Sequence, residues 1–366
     1  MLVEGAIFDS TGARPGYVRV DRGKIVEVGD LGTASRRARE RRVRGIVVPA
    51  PFNGHTHLGD AVSVREPPAV SFSELVAPPS GYKFRLLAEA SPAAKASAMR
   101  AAIQRMQREG IAGTIDFREE GAGGVRTLRT AASGLGFRTV ILGRPTGEGP
   151  LATEVERLLA VGDGVGISSA REVDRARRET IARACRRRKK YYALHASEEI
   201  REPVDDDLRP RPDLLVHLTR AAPADLEAVH DAGVSVAVCP RSNALFGRRP
   251  LLAEMERTKV SMLIGTDNAM LNAPSIWREL EFAYVESRSR GAPVSAEFLA
   301  RSALVEPWRW LRMPAAARIE AGSPAIPLVL RLPPEDPPYQ LVTRATEHLI
   351  VRGARPRPRR GRGGSG

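Results

Sequence analysis

The chain has 366 residues, of which 42% are hydrophobic and 27% are charged, as in an ordinary globular protein. It has no run of about 18 apolar residues for a membrane span, and its two cysteines are too few for a disulfide framework. Arginines spread along the chain supply most of the formal net charge of +14, but aromatic residues reach only 5%, which argues against nucleic acid as the main partner.

The start of the chain, "MLVEGAIFDS", lacks the basic segment and long apolar core of a signal peptide. We therefore expect a cytoplasmic protein. The first 45 residues favour short antiparallel strands, because "VEGAIFDS", "GYVRVDRGKIVEVG" and "RVRGIVVPA" are rich in β-branched residues and interrupted by turns. The four residues "DRGK" are typical of a hairpin turn.

Residues 46–314 alternate short apolar runs with amphipathic stretches, which indicates repeated βα units. The eight apolar runs are "GIVVPAPF", "IAGTIDF", "FRTVILG", "GVGIS", "YYALHAS", "LLVHL", "VSVAVCP" and "VSMLIGT". The predicted helices are Pro92–Glu109, Gly123–Ser133, Leu151–Val161, Arg171–Arg188, Ala224–Ala232, Leu251–Thr258 and Ser275–Ser289, with a short or missing helix after the fifth run. This order predicts an α/β fold with a (β/α)8 TIM-type barrel, and an open doubly wound sheet is the alternative.

Residues 315–353 return to strand-like sequence in "ARIEAGSPAIPLVLRL" and "YQLVTRATEHLIVRG". We expect them to join residues 1–45 in a small composite β-sandwich domain beside the barrel. Residues 354–366, "RPRPRRGRGGSG" with one preceding alanine, are Arg- and Gly-rich and predict a disordered tail.

Polar side chains that could act on a substrate end several of the predicted barrel strands, where barrel active sites form. These residues are His55, His57, His195, Glu198, His217 and Asp267. His55 and His57 point to the same side of a strand, since residues two apart share a face, and Gly54 allows the backbone a close approach. Imidazole and carboxylate ligands together suit Zn²⁺ or Fe²⁺. We interpret His230 and His348 as ordinary structural or surface residues.

The motifs "PAPFNGHTHLGDA", "LHASE", "LVHL", "VAVCPRSNALFG" and "IGTDNA" resemble those of the amidohydrolase superfamily. They are most similar to its aminohydrolase branch of cytosine, guanine and adenosine-analogue deaminases. The resemblance implies that one divalent metal is bound by His55, His57, His195 and Asp267. It also implies that Glu198 shuttles a proton, that His217 orients the attacking hydroxide, and that Asp267 helps to expel ammonia. "GVGISSARE" offers no lysine to bridge two metals, so a mononuclear site is expected.

Residues that bind the substrate are harder to predict, and several candidates follow from position alone. The long segment 59–90 is expected to cover the site, and Phe84 or Tyr82 in it could stack on a ring. Arg118 and Arg144, near the ends of the second and third strands, could bind a carboxylate or phosphate. Ser242 and Asn243, after the seventh strand, are further candidates for contacts with the substrate.

The predicted function is hydrolytic deamination of an amino-substituted heterocycle, such as a nucleobase or nucleoside, by a possible homo-oligomer. A hydrolase of another C–N bond, in a cyclic amide or amidine, is the alternative. A third hypothesis, an RNA-associated protein that binds through its basic tail, gives no reason for the histidine pattern.

Overall fold

A computed structural model describes residues 1–77, 80–171, 173–347 and 350–352 of the chain. The predicted disordered tail and His348 lie outside these residues. The described strands are β1 Leu2–Asp9, β2 Gly12–Asp21, β3 Lys24–Gly29, β4 Arg42–Pro49, β5 Phe52–His57, β6 Gly113–Arg118, β7 Arg138–Gly143, β8 Gly164–Ile167, β9 Tyr191–Ala196, β10 Leu214–His217, β11 Ser235–Val238, β12 Met262–Ile264, β13 Asp267–Asn268, β14 Pro327–Leu330 and β15 Ile350–Arg352.

Helices alternate with the strands of the middle part of the chain. They are α1 Phe72–Val76, α2 Tyr82–Glu89, α3 Pro92–Arg108, α4 Gly121–Ala132, α5 Leu151–Val161, α6 Arg175–Arg187, α7 Val204–Leu208, α8 Pro223–Asp231, α9 Pro240–Leu245, α10 Leu252–Arg257, α11 Ile276–Ser289, α12 Ala296–Leu304, α13 Glu306–Trp310 and α14 Pro337–Arg344. Short 3₁₀ segments span Leu58–Val62, Pro314–Ala317 and Ala345–Glu347. Within the described ranges, none of the helices combines the length and apolar character that a membrane crossing requires.

The strands β5 to β12 form a curled parallel sheet in chain order, and β13 returns to pair with β5. This is the predicted TIM-type barrel, with β13 carrying the eighth strand back to the first. The predicted helices lie between the strands as expected, and the helix after the fifth run is the short α7. The carboxyl ends of all barrel strands therefore face one mouth, where the candidate residues lie.

The first predicted barrel strand, "GIVVPAPF", is divided between the two sheets, which corrects that prediction. Its first part belongs to β4 and its last residue begins β5. Both faces of β4 are buried: Ile46 and Val48 pack in the barrel core, while Val47 packs in a second cluster with Val3 and Val18. A strand buried on both faces has a continuous apolar sequence, so the pattern could not show where one sheet ends.

The strands from the two termini form one six-stranded sheet in the order β15, β14, β4, β1, β2, β3. Both ends of the chain contribute to it, but a sandwich of two facing sheets is not confirmed. The prediction that "YQLVTRATEHLIVRG" is strand-like is wrong for residues 339–344, which belong to α14. The prolines at 337 and 338 begin this helix, and Pro338, Leu341, Val342 and Ala345 are buried with helical spacing.

Two glycines let the first and last barrel strands come together at the mouth. A Cβ atom on Gly54 would lie 2.8 Å from the Cβ of Leu263 and 2.9 Å from the carbonyl oxygen of Ile264. A Cβ atom on Gly265 would lie 2.6 Å from the backbone nitrogen of His55 and 2.9 Å from its carbonyl oxygen. This close approach, expected for Gly54 from the sequence, brings β13 alongside the two histidines of β5.

The substitution Gly265→Ala is expected to destabilise the protein by about 1–3 kcal/mol, because the added methyl group overlaps backbone atoms of a packed core. Gly123→Ala, in the first turn of α4, has nothing within 4 Å of the added Cβ and serves as the matched control. Urea unfolding of both variants measures the effect. Equal stability of the two variants would contradict the argument about the barrel junction.

Candidate active site

Five side chains predicted from the sequence converge at the mouth of the barrel. His55 and His57 lie on β5, His195 on β9, His217 on β10 and Asp267 on β13. All four histidines are buried. In the pairing of β13 with β5, Asp267 stands opposite Thr56, the residue between the two histidines, and Asn268 stands opposite His57.

Four distances that join three imidazole nitrogens and one carboxylate oxygen lie between 3.3 and 3.6 Å. The Nε2 atom of His195 is 3.3 Å from Nε2 of His55 and 3.4 Å from Nε2 of His57. The Oδ1 atom of Asp267 is 3.4 Å from Nε2 of His55 and 3.6 Å from Nε2 of His57. Ligand atoms about 2.0–2.2 Å from a tetrahedral zinc ion lie roughly 3.3–3.6 Å from one another, so the four side chains fit such an ion.

The hydrogen bonds of two histidines show which nitrogen carries the proton. Nδ1 of His57 is 3.0 Å from Oε1 of Glu119, and Nδ1 of His195 is 3.0 Å from the carbonyl oxygen of Ile167. Both partners are acceptors, so each Nδ1 is the donor and each Nε2 presents a lone pair to the cluster. Two lone pairs 3.4 Å apart repel each other, whereas a cation between them would bind both.

The charge states of the cluster also suit a divalent cation. Burial lowers the pKa of all four histidines, to about 4 for His57 and His217, so the imidazoles are neutral at physiological pH. Burial of Asp267 opposes its charge, but the hydrogen bond with His55 and the neighbouring imidazoles hold its pKa well below the usual range. Neutral imidazole and ionised carboxylate are the forms that ligate metals.

Glu198 and His217 form a second pair beside the cluster, with Oε2 of Glu198 3.5 Å from Nε2 of His217. Nδ2 of Asn243 lies 3.1 Å from Nδ1 of His217 and donates to it, so the proton of His217 is on Nε2 and points towards Glu198. Burial raises the pKa of Glu198 to about 8, with a further contribution from the charge of Asp267, while Arg248 at 3.5 Å opposes the shift. This carboxyl group can therefore hold and release a proton near neutral pH.

A cavity opens above these residues and is lined by polar groups and by apolar walls. Its lining includes His57, His195, Glu198, His217 and Asp267 together with Phe72, Val76, Phe117, Phe246 and Leu271. Of the residues predicted to bind substrate, Arg118 and Arg144 line this cavity. Arg118 is 1% exposed and is ion-paired with Glu119 and with Asp116, which leaves it little capacity for a substrate anion.

The lining described for this cavity does not include the other residues predicted to bind substrate, which are Phe84, Ser242 and Asn243. Phe84 is outside the lining of the cavity and lies near Lys83 and Arg144, whose charged groups are 5.4 Å and 5.8 Å from its ring centroid. Ser242 and Asn243 are buried, because the first turns of α9 direct both side chains back into the site. Ser242 donates to Oδ2 of Asp267, and Asn243 donates to His217.

Two residues of the site were missed in the sequence, Lys83 and Glu119. Both line the cavity, and Nζ of Lys83 lies 2.7 Å from Oε1 of Glu119 and 3.2 Å from Oδ2 of Asp60. One signal for Lys83 was present, because this chain has only six lysines and Lys83 lies in the segment expected to cover the site. Glu119 follows Arg118 directly at the end of β6, but its contact with His57 depends on the fold.

No protein-family model matches the chain. The fold resembles those of solved hydrolase structures. An adenosine deaminase from Xanthomonas campestris with bound zinc has a TM-score of 0.76 and 18% identity, over 97% of this chain and 92% of that one. A zinc complex of atrazine chlorohydrolase from Arthrobacter aurescens has a TM-score of 0.76 and 18% identity, over 96% of this chain and 94% of that one. Guanine deaminase from E. coli has a TM-score of 0.74 and 17% identity, over 90% of this chain and 89% of that one.

Curated sequences give closer relationships. A provisionally named aminohydrolase of Methanothermobacter thermautotrophicus is 30% identical over an alignment 335 residues long, and the match covers 84% of this chain and 86% of that protein. Another of Archaeoglobus fulgidus is 33% identical over an alignment 264 residues long, and the match covers 70% of this chain and 74% of that protein. With this identity along most of both chains, and with the barrel and its His/Asp cluster in place, the chain belongs to the aminohydrolases of the amidohydrolase superfamily, metal-dependent hydrolases of C–N bonds.

Proposed function

We propose that the chain deaminates an amino-substituted heterocycle by hydrolysis, with one zinc ion, and releases ammonia. The observation that carries this proposal is the position of Glu198. Its carboxyl group lines the cavity beside the His/Asp cluster, is able to carry a proton near neutral pH, and lies 3.5 Å from His217. Two proteins of similar fold, an adenosine deaminase and a guanine deaminase, support the same reaction.

His55, His57, His195 and Asp267 are the proposed ligands of the zinc ion. When bound, zinc lowers the pKa of a water molecule to about 7 and so supplies a nucleophile at neutral pH. The zinc-containing fold neighbours support the choice of metal. A single ion is proposed because Ser168 and Ser169, and no lysine, follow the fourth barrel strand β8.

Glu198 and His217 are proposed to handle protons and developing charge. Glu198 donates its proton to a ring nitrogen of the substrate, which makes the neighbouring carbon more electrophilic, and then recovers a proton from the attacking water. His217 donates from Nε2 to the oxygen that is added to this carbon. Asp267 accepts the proton of the added hydroxyl group and passes it to the exocyclic amino group. The C–N bond then breaks, ammonia leaves, and the proton taken from the water stays on Glu198.

The apolar part of the cavity lining supports a partly apolar substrate. Phe72 and Phe246 meet edge to face, with ring centroids 4.9 Å apart, and both line the cavity. Among the residues first considered for substrate binding, we retain Arg144 as the proposed contact for a polar substituent. The substrate is a small molecule, and a cytoplasmic location and self-association stay predictions.

Ammonia release is expected when the purified zinc-loaded protein is incubated with a panel of aminopurines, aminopyrimidines and their nucleosides. A coupled assay for ammonia measures the reaction, and the same panel without protein is the control. Hydrolysis of cyclic amides or amidines, with no ammonia from any member of the panel, would exclude deamination in favour of the alternative C–N hydrolase.

His55→Ala is expected to lose most of its bound metal, because the four-ligand arrangement then has three members. His230→Ala is the control: His230 is an exposed residue of α8 whose Nδ1 lies 3.1 Å from the carbonyl oxygen of Lys259. Elemental analysis after dialysis against a metal buffer measures both variants. Equal metal content in His55→Ala and the wild-type protein would overturn the ligand assignment.

Glu198→Gln is expected to slow ammonia release by roughly 10²–10⁴-fold while metal content is unchanged, because an amide cannot transfer the proton. Glu199→Gln is the matched neighbour, since its side chain is 43% exposed and also pairs with Arg248. Steady-state rates for both variants are compared on the best substrate of the panel. A similar loss in both variants would indicate that charge near Arg248, and not proton transfer by Glu198, matters.

A further inference from the structure

Glu119 is a buried carboxylate whose two oxygens are both bound by neighbouring side chains. Its Oε1 atom accepts hydrogen bonds from Nδ1 of His57 at 3.0 Å and from Nζ of Lys83 at 2.7 Å. Its Oε2 atom accepts from Nη2 of Arg118. Glu119 is 5% exposed and lies behind His57, on the side away from the Nε2 atoms of the cluster.

The two cations keep this carboxylate charged and fixed in place. Lys83 and Arg118 are themselves 5% and 1% exposed, so the ion pairs are inside the protein. A carboxylate without a proton can only accept a hydrogen bond. Glu119 therefore requires a proton on Nδ1 of His57, and this leaves Nε2 of His57 as the lone-pair atom that faces the cluster.

His57 and His195 are held in different ways. His195 donates to the backbone carbonyl of Ile167, a group whose charge and position do not depend on other side chains. His57 depends on a side chain that is itself held by Lys83 and Arg118. Lys83 belongs to α2, outside the barrel strands, and lines the cavity. The side chains that hold Glu119 behind His57 therefore come partly from α2.

We infer that Glu119 is a positioning residue of the metal centre, which fixes the tautomer and orientation of His57 through a hydrogen bond to Nδ1. This inference rests on the proposed role of His57 as a ligand. Carboxylates in this position orient a histidine and raise its basicity, and their removal typically weakens metal binding by about 10–100-fold.

The test is the zinc affinity of Glu119→Ala, measured by competition with a chromophoric chelator. Binding is expected to weaken by about 10–100-fold. Glu120→Ala is the matched control, because Glu120 is the next residue and its carboxylate forms an ion pair with Lys95. Its zinc affinity is expected to equal that of the wild-type protein.

The same comparison in a His57→Ala background separates positioning from general damage. If Glu119 acts through His57, then Glu119→Ala causes no further loss of zinc affinity once His57 is absent. An equal loss in both backgrounds, or wild-type affinity in Glu119→Ala, overturns the inference. Wild-type affinity in His57→Ala overturns it in a different way, because the ligand assignment itself then fails.

Loss of a buried carboxylate could prevent folding, so Glu119→Gln is measured alongside, with circular dichroism to verify the fold. The amide oxygen of glutamine still accepts from Nδ1 of His57, and a smaller loss of zinc affinity than in Glu119→Ala is expected. A loss as large as that of Glu119→Ala, in a folded protein, contradicts the hydrogen bond as the cause. None of these measurements uses ammonia release, so they stand apart from the test of the reaction.

Discussion

The repulsion between imidazole lone pairs inside the barrel mouth is the constraint on which the site depends. Nitrogen atoms with unshared electrons do not normally approach one another at 3.4 Å in a buried space, and here Nε2 of His57 and Nε2 of His195 do so. Hydrogen bonds behind the rings prevent His57 and His195 from rotating to avoid this contact. The arrangement is costly for an empty site and favourable for a divalent cation, which it therefore selects.

The histidines of the site carry their protons on different ring nitrogens because their neighbours differ. Acceptors behind His57 and His195 place the proton on Nδ1 and expose Nε2 as an electron donor. A donor behind His217, the amide of Asn243, reverses this and places the proton on Nε2. The supporting residues thus decide which histidines fit the role of ligand and which one fits the role of hydrogen-bond donor.

Much of the barrel could be predicted from the sequence, because short apolar runs alternating with amphipathic stretches reflect strands and helices that are each buried on definite faces. The position of β4 in the second sheet could not be predicted, because its sequence resembles that of a barrel strand. One face of β4 packs in the barrel core and the other packs in the second hydrophobic cluster. The helix α14 was obscured by its β-branched residues Val342 and Thr343, a residue type that is common in strands. In each case the partner that decided the structure lies far away in the sequence.

The candidate ligands were predictable because a strand end is a local feature. The side chains that hold these candidate ligands in place could not be predicted, because Glu119 is 62 residues from His57 and Lys83 is 36 residues from Glu119. Ser242 and Asn243 show the limit of reasoning from position alone. Both lie at a strand end as expected, but the direction of their side chains is set by the turn of α9, which the sequence pattern did not reveal.

The junction between β5 and β13 has a consequence for how the chain holds its shape. A barrel closes only where its first and last strands meet, and here the last strand contributes two paired residues. His55 and His57 lie on one side of this junction and Asp267 on the other. An ion bound by all three residues would connect β5 with β13. Metal binding and closure of the barrel would then be linked equilibria. With such an ion, metal availability would bear on the lifetime of the folded protein as well as on its chemistry.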